Sequence, residues 1–125
     1  MAAARILVVE DNAKNMKLFR DLLRVKGYET LEASSGEHAV ELALAEIPDL
    51  VLMDIQLPGI DGVEALRRLR ADERTSALPV LALTAQAMDG DSERFLDAGF
   101  DGYLSKPVNI AELLAAVGRH CKEGA

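Results

Sequence analysis

Four apolar runs in this sequence of 125 residues each lead into a residue able to do chemistry. Val8-Val9 runs into Glu10-Asp11, Leu50 to Met53 into Asp54, Leu81-Ala82-Leu83 into Thr84, and Tyr103-Leu104-Ser105 into Lys106. A carboxylate closing a run as apolar as Leu50–Met53 needs a partner, because an isolated buried charge is strongly unfavourable. Like charges ~4 Å apart repel by ~4 kcal/mol at an effective dielectric of ~20. If Glu10, Asp11 and Asp54 meet, they must therefore hold a proton or bind a cation. An oxygen-only donor set suits Mg²⁺, with Mn²⁺ as a workable substitute. The ion and Lys106 would supply positive charge and Asp54 a nucleophilic oxygen, which is the equipment phosphoryl transfer requires. Asp54 is thus the candidate phosphoryl acceptor, with Thr84 and Lys106 as candidate catalytic neighbours.

Taken singly, each of these residues has a structural explanation. Asp11 or Asn12 would serve as a helix cap, Asp54 as a polar strand terminus before Leu57-Pro58-Gly59-Ile60-Asp61-Gly62, Thr84 as a β-branched strand residue, and Lys106 as a solvated lysine. The functional reading depends on all four runs ending at the same edge.

The elements that must position them follow from periodicity. Strand-like runs cover residues 5–9, 28–33, 49–53, 79–84 and 101–105. Between them lie segments of helical spacing, clearest where Ile110, Leu113, Leu114, Val117 and Cys121 share one face. Asn109 to Glu112, Ser34 to Glu37 and Asp61 to Glu64 read as capping boxes. Gly27 and Gly99 mark helix ends, and Pro48 and Pro79 mark strand beginnings. Five strand–helix units predict an α/β fold, a flavodoxin-like (βα)5 three-layer sandwich with a parallel sheet of order 2-1-3-4-5. In such a sheet, ligands bind outside the carboxyl ends of the strands, where the winding reverses. That is where all four runs end.

Composition narrows the class. Half of the residues are apolar, which argues against disorder, and residues 1–125 read as a single domain with its core over about 5–121. A net charge of −7 with no basic patch excludes nucleic acid as a main partner. One cysteine rules out an internal disulfide, and the apolar run at 6–9 is too short for a signal peptide or membrane span. The expectation is a cytoplasmic protein with no membrane association and no output domain after Cys121. His38 and His120 lack a metal-like partner and are expected to be solvated, with Cys121 packed on the last helix's apolar face. The first helix spreads Met16, Leu18, Phe19, Leu22, Leu23 and Val25 over about half its circumference, more than the ~100° that packing requires. Leu18 or Met16 is therefore a candidate for docking a kinase helix.

The residues quoted, with "ILVVEDN", "DLVLMDIQLPGIDG", "LTAQAM" and "GYLSKP", resemble the receiver domain of two-component response regulators over about residues 5–121. Two of the stretches, "VEDNAKNMKLFRDLLRVKGYETLEA" and "LVLMDIQLP", are most similar to stand-alone receivers of alphaproteobacterial cell-division control. Gln86 departs from that pattern, which favours an aromatic residue there. The resemblance implies that Asp54 is phosphorylated and that Glu10 and Asp11 are the acidic metal-binding pair. It further implies that the Gln56 carbonyl is a metal ligand, that Thr84 and Tyr103 form a switch pair, and that Pro107 follows a cis peptide bond. The implied phosphodonor is a histidine kinase or histidine phosphotransfer protein, other kinases are candidate output targets, and the implied process is control of cell division or polarity. No small-molecule turnover is expected beyond self-phosphorylation and self-dephosphorylation.

Three other readings use some of the same residues. An aspartate-nucleophile, Mg²⁺-dependent small-molecule phosphatase would need Asp-x-Asp after the first strand, whereas the sequence there is Glu10-Asp11-Asn12. A flavodoxin-like mononucleotide binder would need a phosphate loop at that point, where two acids would repel the phosphate. A receiver-like scaffold that is never phosphorylated would have no need of the complete residue set.

Overall fold

Alternation along the strands sets the layers. Ile6, Val8, Leu50, Leu52, Leu81 and Leu83 point into one apolar cluster, and Leu7, Val9, Val51, Met53, Val80 and Ala82 into another on the opposite face. The computed structural model describes residues 4–85 and 91–120, with backbone only at 91–93. Its elements run β1 (Arg5–Val9), α1 (Ala13–Val25), β2 (Glu29–Ala33), α2 (Gly36–Glu46), β3 (Leu50–Asp54), α3 (Gly62–Ala71), β4 (Val80–Thr84), α4 (Asp91–Ala98), β5 (Gly102–Ser105) and α5 (Ile110–His120). All strand pairs are parallel, in the order β2-β1-β3-β4-β5. This is the α/β sandwich that the alternating units predict. Phe19 and Leu23 of α1 and Leu113 and Val117 of α5 fill the first cluster. Ala39 and Ala43 of α2, Leu66 and Leu69 of α3 and Phe95 of α4 fill the second. Burial on both faces is why β1, β3 and β4 read as continuous apolar runs.

β1 begins where the sequence suggests and the other four strands one residue later, and two aspartates explain part of the difference. Asp49 donates its N–H to the Arg5 carbonyl (2.8 Å) and accepts the Arg5 N–H on Oδ2 (2.7 Å). Asp101 does the same to Val80, at 2.8 Å in both directions. Each aspartate closes the amino end of a neighbouring strand with its side chain in place of another ladder step. Arg70 of α3 reinforces the second of these corners, donating to the carbonyls of Leu78 (2.6 Å) and Gly99 (2.9 Å) and to Asp101 Oδ2 (3.1 Å).

Helix starts follow the expected chemistry with one shift. Asn12 Oδ1 accepts from the N–H groups of Lys14 and Asn15, Asp61 Oδ1 from Glu64, and Asn109 Oδ1 from Glu112. At α2 the cap is Ser35, whose Oγ accepts from His38, so the box expected to open at Ser34 opens one residue later. The glutamates do not complete the boxes at α2 and α3. Glu64 turns to Arg67 and Arg68, whose hydrogen bonds hold its carboxyl down to about 2. Glu37 reaches across to another segment. Among the described residues, no helix is long and apolar enough to cross a membrane.

Candidate functional site

All four runs end at the carboxyl ends of strands that are consecutive in the sheet, β1, β3, β4 and β5, and the parallel register brings those ends to one rim. Asp54, the last residue of β3, is buried. Its Oδ1 accepts the N–H of Gln56 (3.0 Å) and its Oδ2 accepts Lys106 Nζ (2.7 Å). Glu10 directly follows β1 and is also buried. Its Oε1 accepts the Asn12 N–H (3.3 Å), while Oε2 lies 2.9 Å from Lys106 Nζ as an ion pair without a hydrogen bond's alignment. Asp11 is exposed at the mouth of the site. Carboxylate oxygens of Glu10, Asp11 and Asp54 all lie within 4.8 Å of one another. The answer to why an apolar strand ends in an acid is therefore Lys106, whose ammonium is shared between two buried carboxylates.

Lys106 itself is placed by the main chain. Its N–H donates to the carbonyl of Thr84 (2.8 Å), which ties the residue after β5 to the buried end of β4. The Lys106–Pro107 peptide bond is cis. Tyr103 lies on β5 with 39% of its surface exposed, its ring centroid 6.2 Å from that of Phe95 on α4. Gln56 is exposed and joins the site through its backbone. His38 is exposed, whereas His120 is half-buried at the end of α5. Gln86 and Cys121 fall outside the described residues.

The electrostatics are those of crowded acids around one cation. Burial pushes the Glu10 carboxyl above its ordinary value and the charge of Asp54 adds to the rise, against the opposing pull of Lys106. Burial alone would lower Lys106, but its hydrogen bond to Asp54 and its ion pair with Glu10 outweigh that and raise it. A third oxygen donor in Asp11, together with a buried Glu10 oxygen lacking a hydrogen bond, fits a small hard cation beside Lys106.

Sequence reasoning assigns Gly62 only to a capping box, and the structure gives it a larger part. A Cβ at Gly62 would overlap the carbonyl oxygen of Asp54 and lie 3.0 Å from Ile55 Cα and 3.1 Å from Met53 Cγ. Helix α3 thus starts directly against the backbone at the end of β3, fixed by the Gly62 N–H on the Ile55 carbonyl (3.0 Å). The available signal was a glycine at a first helical position, where a better helix former would ordinarily serve. Gly62→Ala is expected to cost about 1–3 kcal/mol, read by urea denaturation, and to displace the end of β3.

Two cavities open beside the site. One of about 320 Å³ is lined by Glu10, Asp11, Met16, Glu32, Ser34 and His38 among others. The other, of about 410 Å³, lies between α1 and the segment after β5, with Asn15, Leu18, Phe19, Lys106, Pro107 and Val108 in its walls. Leu18 is 46% exposed there, whereas Met16 is buried in the core, which leaves Leu18 as the docking candidate of the two.

Comparison with known proteins places this arrangement. Residues 6–118 match the model of the response regulator receiver domain. The chain is 46% identical over 112 residues to the polar-differentiation response regulator DivK of Brucella ovis, covering 90% of this chain and 91% of the relative. Among solved structures it is similar to the receiver domain of the sensor histidine kinase PA1611 from Pseudomonas aeruginosa, which has a magnesium ion in its active-site cleft. That likeness has a TM-score of 0.87 at 41% identity, covering 95% of this chain and 98% of the other. It is also similar to the chemotaxis protein CheY4 of Vibrio cholerae, with a TM-score of 0.89 at 27% identity over 95% and 99% of the two chains.

Proposed function

The chain belongs to the response regulator receiver domain family, and from that premise we propose that Asp54 accepts a phosphoryl group from a phosphohistidine on a partner protein. One carboxylate oxygen of Asp54 forms the new O–P bond. The N–P bond of the donor breaks, its electron pair stays on the imidazole nitrogen, and the product is an acyl phosphate that water later hydrolyses. The observation carrying this reading is the single ammonium of Lys106 held between Asp54 and Glu10, with Asp11 beside them. Lys106 rests on the acceptor in the free chain and passes to the phosphoryl oxygens once they arrive, a charge-assisted contact stronger than a neutral one. The carboxylates of Asp11 and Asp54 and the carbonyl of Gln56 would hold Mg²⁺, with Glu10 behind them, and the bound ion would neutralise charge on the transferring oxygens.

The added charge is the signal. Thr84, at the end of β4, moves its hydroxyl towards the phosphoryl oxygens, and Tyr103 turns from its exposed position into the space released. The phosphoryl group shifts the population only because it interacts more strongly with that arrangement. Such a chain changes its protein contacts and turns over no small molecule. Its likeness to the polar-differentiation response regulator DivK supports a role in cell polarity; control of cell division, a cytoplasmic setting and other kinases as targets complete the proposal.

Leu18 and the cavity beside Lys106 form the proposed seat for the donor's helix. Leu18→Asp should slow transfer from a phosphorylated kinase or phosphotransfer protein by at least about tenfold, as loss of an apolar anchor does. Labelling by acetyl phosphate, which needs no docking, should be unchanged. The test of the function itself is label transfer from a phosphohistidine donor in the presence and absence of Mg²⁺. Steady turnover of p-nitrophenyl phosphate would instead support the phosphatase reading.

A further inference from the structure

Glu37 was expected to close its own helix and does something else. Its Oε2 accepts the N–H of Ile60, 23 residues away in the segment between β3 and α3, at 3.3 Å. The approach is closest at Gly59, whose φ of 75° lies in the left-handed region. A Cβ at Gly59 would fall 2.5 Å from both carboxylate oxygens of Glu37. The next contact repeats the pattern from the other side, since a Cβ at Gly36 would lie 2.5 Å from Ile60 Cγ1 and 2.6 Å from the Ile60 carbonyl oxygen. Two glycines, one on each partner, thus leave room for the Glu37 and Ile60 side chains where the start of α2 meets the segment 59–60.

That segment is the far end of the stretch that begins at Asp54. Its near end is fixed by Ile55 N–H on the Leu83 carbonyl (3.0 Å) and by Gln56 N–H on Asp54 Oδ1 (3.0 Å). Among the described residues, 57–59 make no backbone–backbone hydrogen bond, so the conformation of the turn depends on the bonds at its two ends. We propose that Glu37 is a positioning residue for the metal site: by anchoring Gly59 and Ile60, it holds the 55–61 segment so that the Gln56 peptide stays beside the acids. This rests on the function proposed above, because it assumes that Gln56 serves Mg²⁺. Groups that orient a metal's ligands through hydrogen bonds commonly contribute 10–100-fold to its affinity. Glu37 is one anchor among several, since the Gly62 N–H on the Ile55 carbonyl also closes the segment, so the lower end of that range is expected.

The test compares Glu37→Ala and Glu37→Gln in the full chain. Mg²⁺ affinity is measured by calorimetry, Ile60 amide exchange by NMR, and melting in EDTA by circular dichroism. Glu37→Ala should weaken Mg²⁺ about tenfold and speed Ile60 exchange about tenfold, with metal-free melting within about 3 °C of the parent. Glu37→Gln keeps an acceptor oxygen and loses the charge, so it should bind Mg²⁺ within about threefold of the parent. Parental affinity in Glu37→Ala would overturn the proposal. So would Glu37→Gln weakened as much as Glu37→Ala, since a distant charge and not an anchor would then be acting. Failure of the parent chain itself to bind Mg²⁺ would overturn the metal reading first, and the positioning role with it.

Discussion

Asp54→Asn should reduce labelling by acetyl phosphate to background while the parent chain is labelled only with Mg²⁺ present. The substitution is nearly isosteric. Its side-chain oxygen can still accept the Gln56 N–H that Asp54 Oδ1 accepts at 3.0 Å, so the end of β3 should keep its shape and the far-ultraviolet dichroism its parental form. What disappears is the negative charge and the nucleophilic oxygen paired with Lys106 at 2.7 Å. An amide is a poor nucleophile, and two remaining acids hold a divalent cation less well than three. Label retained at the parental level would reject Asp54 as the acceptor and direct attention to Asp11 or Glu10.

Lys106→Ala should have the largest effect on stability. Glu10 and Asp54 are both buried, and the ammonium between them is the cation that offsets their charge in the free chain. Removing one partner of a buried pair ordinarily costs 3–5 kcal/mol, and the partly open position of Lys106 reduces that to about 2–4 kcal/mol at pH 7.5 without metal. The pH dependence has a definite sign. Glu10 already titrates above its ordinary 4.5, and without Lys106 it rises further. Between 4.5 and that raised value the folded chain holds a proton that the unfolded chain has released, so stability falls as pH rises through the window. The deficit of the variant relative to the parent should therefore be smaller at pH 5 than at pH 7.5, and Mg²⁺ should reduce it at the higher pH. Urea denaturation at the two pH values with EDTA, then with Mg²⁺, checks both. A deficit that is the same at pH 5 and 7.5 would mean that crowded charge is not its source.

The sequence carries the strand order and the rim because those depend on local signals. Apolar runs, polar strand ends and the handedness of crossovers require no knowledge of distant partners. What it conceals depends on contacts made across the chain. Ser35 caps α2 in place of Ser34, and Glu37 is released from its expected box because Ile60 lies within reach. Asp49 and Asp101 read as the first residues of their strands until Arg5 and Val80 are seen opposite them. Whether Leu18 or Met16 faces outward depends on how α1 is rolled on the sheet, and an apolar arc of half a turn leaves both open. Gly62 needed the backbone of Asp54 beside it before its role could be read.

The Asp49, Asp101 and Arg70 fastenings give the sheet the mechanics of a cantilever. At the amino end, carboxylates and a guanidinium bolt β1 and β4 to the turns that enter β3 and β5. At the carboxyl end, the charged groups are committed to one another around Asp54, and under the proposed mechanism Lys106 would change partners when a phosphoryl group arrives. Under the proposed mechanism, displacement would accumulate at the carboxyl ends of β4 and β5 and be damped towards the root, so a partner sensing the chain's state would grip it there.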